Sequence, residues 1–524
     1  MTQATHATPV GGQATTTARV YQGWQVEKIN FMFGLSTQRA LMLGAAVLIA
    51  TLPIAMSHVS GAVVTWPISA VLALLVFIRI AGRTTDEWAT AVVSYSTLRL
   101  RNQHKFLGAA FTPLRKGEKA AAVPDLPGFL APIRILVADM GNGRELAVAH
   151  NRHEQSYTAV ARVRFPGIGL VDSGRRDQRV AGWGSLISGL CTEGNPITRV
   201  QALQRLVPES GAELRRWHED HISDDAPILA LDVSQQLLGA ATVATSTREA
   251  YLVFTLDARK AAHAIKTAGG GPAAAASVLA RHMRAVAGSV TSADLLIDEW
   301  LTPRDLAEVI RTAYDPDSVR HLSERRAAAE SSASAGKDVD GLASGVAPAL
   351  AGPAAAQANA GTYAHDGATS VTYWVYNWPK HQIPATALAP LLGEGAHRRS
   401  FSMHIEPLSP RIAERDVMRE RTARSVAVRM RERTGQIVPE HEKDALIRAN
   451  EQDAERAAGH GLARFTGYVT VTVTDPDQLP DACAALEADA AAARIELRRM
   501  WFAQDIGFAL SCLPLGFGLP RKRW

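Results

Sequence analysis

The chain has 524 residues, 47% hydrophobic and 20% charged, with a net charge of +5 at pH 7. This apolar content can bury real cores, which excludes wholesale disorder, and the length has room for two or three globular units. A pI near 9.1 is mild and demands no nucleic-acid partner. Cys191, Cys483 and Cys512 are isolated, without a C-x-x-C, which argues against a disulfide framework and against a thiolate zinc site.

Residues 1–20 are rich in Thr, Gln, Ala and Gly and lack an apolar h-region, so no cleavable signal peptide is expected there. Residues 1–35 read as a cytoplasmic tail and pre-membrane segment, with Trp24, Phe31 and Phe33 suited to a headgroup zone. Residues 40–78 then pass, 39 in all, without one Lys, Arg, Asp or Glu. They form two apolar runs, from Ala40 to Met56 and from Val63 to Ile80, around a small polar turn. At about 1.5 Å per residue each run reaches roughly 25–27 Å, close to a bilayer core of about 30 Å. A transmembrane hairpin over 36–82 is therefore expected. Lys28 and Arg39 precede it, Arg79, Arg83, Arg99, Arg101 and Lys105 follow it, and the turn has no cation. The positive-inside rule then predicts two spans with both termini cytoplasmic.

Residues 83–122 read as a juxtamembrane amphipathic helix and connector, with Trp88, Val92, Tyr95 and Leu98 at helical spacing. Residues 123–326 are expected to form a first cytosolic α+β domain. Its strand candidates are 133–138, 145–149, 158–165, 199–206 and 250–256, and its helices include 176–190, 226–241, 273–286 and 303–314. Thr302 and Pro303 mark the start of the last of these. Residues 327–369, mostly Ala, Gly, Ser and Pro, read as a linker. Residues 370–524 are expected to form a second α+β domain with strands at 371–378, 400–406 and 465–474. A helical hairpin spans 409–433 and 440–458, closed by Gly435 and reopened by Pro439, and an apolar motif ends the segment. The predicted fold class is α+β: a membrane hairpin followed by two ferredoxin-like-style domains.

The chemistry is sparse. No G-x-x-x-x-G-K-[ST] occurs in the sequence, so no phosphate-cradling loop with its lysine is present. Gly269-Gly270-Gly271 before a helix reads as a turn, and His218 and His221 read as surface histidines rather than metal ligands. Asp338 and Asp340 lie in the expected linker, and Asp475 and Asp477 sit between a strand and a helix, where Asp serves as turn former and N-cap. Eight arginines between Arg411 and Arg433 face six acids between Glu440 and Glu455 on the partner helix, so the pair can neutralise itself and direct nucleic-acid contact is not expected. No catalytic, cofactor-binding or metal site is assigned, and no cofactor is expected.

The stretch Gln504-Asp505-Ile506-Gly507-Phe508 through Leu513-Pro514-Leu515-Gly516 resembles the end of the N-terminal region of type IV secretion ATPases, the TraC/TrbE/CagE family. The segment Leu301-Thr302-Pro303-Arg304-Asp305-Leu306 is similar in style, and the two-span head resembles the PrgI-like subunit that partners such ATPases. Together the chain resembles conjugation-associated membrane proteins of actinobacteria. The family's motor would begin where Arg521-Lys522-Arg523-Trp524 stand, and with no Walker lysine ATP hydrolysis is not carried over. The resemblance implies a non-catalytic inner (plasma) membrane subunit of a type IV (conjugative) secretion apparatus that docks a separate hexameric ATPase. Implied partners are the membrane, that ATPase, other channel subunits and further copies of the chain. Phe508, Leu513, Pro514, Leu515, Gly516 and Phe517 are the expected partner contact. A type VII secretion core component and a membrane-tethered transferase using Asp475 and Asp477 are the alternatives.

Overall fold

Alternating apolar runs make the strands, and here the strands link into one ladder. The computed structural model describes residues 2–3, 21–22, 37–55, 62–77, 79–80, 83–108, 124–164, 171–208, 217–244, 246–334 and 344–518, except 142, 220, 224, 380–382, 385, 394, 396 and 436. Apart from the two-residue strands Thr2–Gln3, Tyr21–Gln22, Arg79–Ile80 and Arg83–Thr84, the helices and strands begin in chain order with α1 (Thr37–Ala55), α2 (Ala62–Phe77), α3 (Thr85–Leu100) and β1 (Lys105–Leu107). Next come β2 (Ile133–Asp139), β3 (Glu145–Asn151), β4 (Ser156–Arg164), α4 (Ser173–Leu190), β5 (Ile197–Pro208), α5 (Ile228–Ala244) and β6 (Ser246–Asp257). After them run α6 (Ala262–Thr267), α7 (Gly271–Ser292), β7 (Leu296–Trp300), α8 (Pro303–Tyr314) and α9 (Ser318–Ser334). The remainder is β8 (Ala355–Ala358), β9 (Tyr363–His365), β10 (Ala368–Asn377), α10 (Ala389–Leu392), β11 (Arg398–Pro407), α11 (Pro410–Arg433), α12 (Glu440–Ala457), β12 (Ala463–Val473), α13 (Leu479–Ala492), β13 (Glu496–Arg499) and α14 (Gln504–Cys512).

Thirteen strands form a single antiparallel sheet in the order β1-β8-β9-β10-β12-β11-β5-β6-β4-β3-β2, with β7 added to β4 and β13 to β10. That order is a repeat. Strands β2 to β7 and β8 to β13 follow one another in the same arrangement, and β5 meets β11 where the halves join. Fine detail repeats as well. Thr158 and Thr255 share a hydroxyl–hydroxyl bond of 3.0 Å between β4 and β6, and Thr372 and Thr470 share one of 2.7 Å between β10 and β12. Asp294 and Arg494 each turn left-handed, at φ 57° and 56°, between the second-last helix and last strand of their halves. A non-glycine residue in that conformation is uncommon, so its recurrence at equivalent places marks a common plan.

Helices cover both faces. On one, α8 and α14 pack with Leu306, Ile310, Tyr314, Phe508 and Leu513 over Val160, Leu203, Tyr251 and Val253. On the other, α4 and α7 cover the first half around Leu186, Leu279, Met283 and Phe254, and α10 and α13 cover the second around Leu391, Leu486, Val469 and Val471. Thr302 opens α8 with a complete capping box, accepting from the Asp305 amide while the Asp305 carboxylate accepts from the Thr302 amide.

Three expectations are overturned. Among the described residues no helix is long and apolar enough to cross a membrane. The second run yields only the 16 residues of α2, about 24 Å long against a core of about 30 Å. Ile80, expected inside the span, instead pairs with Arg83 in a short two-stranded turn, and Met56 lies outside the described residues. The two-span membrane location built on Ala40, Met56, Val63 and Ile80 falls with it. α1 and α2 pack on each other, with Ser69 Oγ donating to the Ala46 carbonyl at 2.7 Å and Trp66 Nε1 to the Ala50 carbonyl at 3.3 Å.

Two separate ferredoxin-like domains are also not found. The edges of β5 and β11, which separate domains would leave bare, pair over seven residues from Arg399–Leu206 to Ile405–Val200. An unpaired edge is a row of unsatisfied amides and carbonyls, and joining the halves removes both. Third, the expected linker is partly sheet: β8 and β9 lie within it and bury Ala356, Ala358 and Tyr363. Small residues there let two short strands pack tightly rather than leaving the chain unpacked. The segment after α2 packs on the sheet: the rings of Trp88 and Tyr95 lie 5.7 and 5.2 Å from that of Phe502.

Candidate interaction surface

The expected partner contact is internal. Phe508, Leu513, Pro514, Leu515, Gly516 and Phe517 are all buried in the chain's own core. Phe508 lies 5.0 Å from the ring of Tyr314 and 4.6 Å from that of His365. Past α14 the chain crosses onto the first half as a strap. Gln201 Nε2 donates to the Leu513 carbonyl, and the Gly516 amide donates to Gln201 Oε1, each at 3.0 Å. Thr255 Oγ1 donates to the Gly516 carbonyl at 3.2 Å, and Phe517 packs on Phe129. An apolar run cannot tell by composition whether it faces a partner or its own sheet, which is why the sequence pointed outward.

Gly516 combines φ +64° with a site where a Cβ would collide with the Thr255 hydroxyl. Gly516→Ala is expected to cost about 2–4 kcal/mol, seen as a lower midpoint in urea unfolding; an unchanged midpoint would remove the strap's structural role.

Of the other residues singled out for chemistry, His221 and Asp475 are engaged structurally, while His218 Nε2 is buried without a hydrogen-bond partner. His221 Nδ1 meets the Trp217 carbonyl at 2.7 Å, and its ring stacks on Trp217. Asp475 caps a turn, accepting from the Asp477 amide at 3.1 Å and from Gln478 Nε2 at 3.3 Å. Gly269, Gly270 and Gly271 all have positive φ in the turn before α7. Asp338 and Asp340 lie outside the described residues. The three cysteines are free and buried. Among the described residues no group of three His, Cys, Asp or Glu could hold a metal ion.

One ion pair of the interior is built on a fully buried arginine. Arg205, 1% exposed, donates to Glu249 at 2.5 Å, to the Val309 carbonyl at 2.7 Å and to Thr312 Oγ1 at 3.2 Å. Burial raises the Glu249 carboxyl's pKa, but the charge and hydrogen bonds of Arg205, with Arg162 and Arg398, outweigh it and hold the pKa at about 2. A cavity beside Asp505, Tyr314 and Tyr363 has room for about 20 Å³, the scale of one water rather than a substrate. Burial raises the pKa of Asp505.

What the molecule offers outward is helical. α11, with 24 residues, extends about 36 Å, and α12 returns beside it after Gly435 turns at φ +69°. Arg421–Asp453 and Arg431–Glu442, both 2.8 Å, register the pair antiparallel. Those bonds use one side of α11. The opposite side carries Arg411, Arg415, Met418, Val426, Arg429 and Arg433, all exposed and spaced three, four or eight residues apart, so they form one stripe. Met430 extends its apolar centre, and Ile437 at the tip is 92% exposed. The sequence signal was the arginine count; the apolar residues between the arginines went unread.

The equivalent insertion of the first half, between β5 and β6, holds α5. Its Ile228 is 86% exposed, and Leu229, Val233 and Leu237 also face outward. Because β5 and β11 run antiparallel side by side, the two insertions leave opposite ends of the sheet. Compared with known proteins, the chain matches no family model and no curated protein.

Proposed function

We propose that this chain is a non-catalytic structural subunit of a type IV (conjugative) secretion apparatus and holds a separate ATPase at the channel. Two things support the reading: the resemblance around residues 504–516 in a sequence without a Walker lysine, and the division of labour in the fold. The observation that carries it is the exposed stripe of arginine and methionine on a helical arm about 36 Å long. Arg and Met are enriched where proteins meet, and an arm paired along its length by ion bridges is stiff enough to present them. The apolar outer face of α1 and α2, including Val47, Leu48, Val63 and Leu74, is a second contact surface for channel subunits.

The test is purification of the tagged chain from its native cell, with and without the distal arm (residues 426–447 replaced by a short Gly-Ser loop). The intact chain should bring a secretion ATPase with it, and the shortened one should retain at least about tenfold less. Equal recovery, or no ATPase with the intact chain, would reject the reading.

A further inference from the structure

We infer that the stripe on α11 takes the α5 segment of a second copy of this chain, so that copies join head to tail. The inference rests on reading that stripe as a contact surface of the apparatus; it gives the stripe to a second copy, so that the ATPase is held by the joined copies rather than by the stripe itself.

Three observations converge. First, α5 is an apolar helix left uncovered: Ile228, Leu229, Val233 and Leu237 are all exposed, more than an isolated soluble helix of 17 residues tolerates. Second, the charges are complementary. Residues 217–244 contain five acids and no Lys or Arg; Asp232 is exposed on α5, and Glu219 and Asp225 are exposed on the segment that leads into it. On α11 the rim is Arg411, Arg415, Arg429 and Arg433, exposed and outside the ion pairs that bind α11 to α12. An apolar patch flanked by acids and an arginine-rimmed apolar patch attract, whereas either facing its own kind would set like charges together. That argues against a two-fold pairing of α5 with α5 or α11 with α11. Third, the repeat in the fold sends the two insertions out from opposite ends of the sheet. Complementary patches at opposite ends generate a heterologous contact, which closes into a ring or continues as a filament.

The lengths fit. From Ile228 to Leu237 the α5 patch covers about 14 Å, and from Met418 to Met430 the α11 patch covers about 18 Å. Such an assembly presents several copies to a motor at once, which strengthens its hold without any new contact.

The experiment uses full-length chain with single added cysteines, since Cys191, Cys483 and Cys512 are buried and do not compete. Leu237→Cys and Met430→Cys copies are oxidised mildly, separately and mixed. Disulfide-linked dimers are expected in the mixture and at least about tenfold less with either alone. Linked dimers with L237C alone, or none in the mixture, would overturn the inference. In sedimentation velocity, V233E/L237E and R429E/R433E should each be monomeric where the unmodified chain assembles, and their mixture should stop at 1:1 dimers, each partner having one sound surface. Either variant assembling as the unmodified chain does, or a mixture of monomers only, would overturn it equally. These residues are exposed, so melting should be unchanged. No ATPase is present in these measurements. Assembly without ATPase recovery therefore rejects the docking role alone, and ATPase recovery without assembly rejects this inference alone.

Discussion

Arg205→Met is expected to be the most damaging single substitution in the sheet, costing about 3 kcal/mol or more in urea unfolding. Arg205 sits on β5, next to the junction with β11, and ties Glu249 of β6 to the Val309 carbonyl and Thr312 hydroxyl of α8. Removing it leaves a carboxylate without its closest cation and takes from the Val309 carbonyl one of its donors, the Thr312 hydroxyl remaining. Glu249 keeps 29% of its side chain open to solvent and still feels Arg162 and Arg398, which holds the loss to the lower end of the 3–5 kcal/mol usual for breaking a buried pair. Methionine roughly fills the vacated volume, so the loss is electrostatic rather than a cavity. The double variant R205M/E249Q should therefore recover part of it. If the double variant is as unstable as the sum of its single changes, the two residues do not act as a pair.

Acid should begin to destabilise the protein above the pH at which Glu249 protonates. His365 and His404 are buried and neutral, each with a pKa lowered to about 4, chiefly because burial penalises the imidazolium. His365 bridges the Tyr314 carbonyl and Ser370 Oγ, and His404 Nε2 donates to the Leu510 carbonyl at 2.8 Å. Their unfolded pKa is near 6.5, so between pH 6.5 and 4 the unfolded chain binds protons that the folded one does not. Stability from these groups is complete above pH 6.5 and falls as pH drops towards 4, by about 3 kcal/mol for each histidine. Glu249 adds a second loss below the first, as pH falls from about 4.5 towards 2. Urea midpoints from pH 7 to 4 measure the slope, and His404→Gln should flatten it by about half of the histidine part. A flat profile over that range would show that neither imidazole is held neutral by the fold.

Much of the local structure was legible because short-range chemistry writes it. The strand at 465–474 announces itself by alternating Val with Thr, and α8 by Thr302, Pro303 and Asp305 at their capping positions. The α11–α12 arm follows from Gly435 and Pro439 between two charged helices. What failed depends on partners distant in sequence. Nothing local says that β5 will pair with β11, or that residues 513–517 will lie on Thr158 and Thr255 rather than on another protein. Charge-free runs around residues 40–78 fit a membrane by composition, but a helix of 16 residues falls short of crossing one. The repeat did leave a trace. Ala293-Asp294-Leu295 and Ala493-Arg494-Ile495 stand 200 residues apart before Asp305 and Asp505 in matching positions, a self-comparison signal hidden by the different insertions in the two halves.

The strap has a consequence for biosynthesis. Gln201, Thr158 and Thr255 belong to strands made early, yet their hydrogen-bond partners are the backbone groups of Leu513, Leu515 and Gly516. Some 200 residues emerge between α8 and those groups, about 10–40 s of translation at usual ribosome speeds. Throughout that interval the nascent first half displays a bare, wettable patch on its sheet.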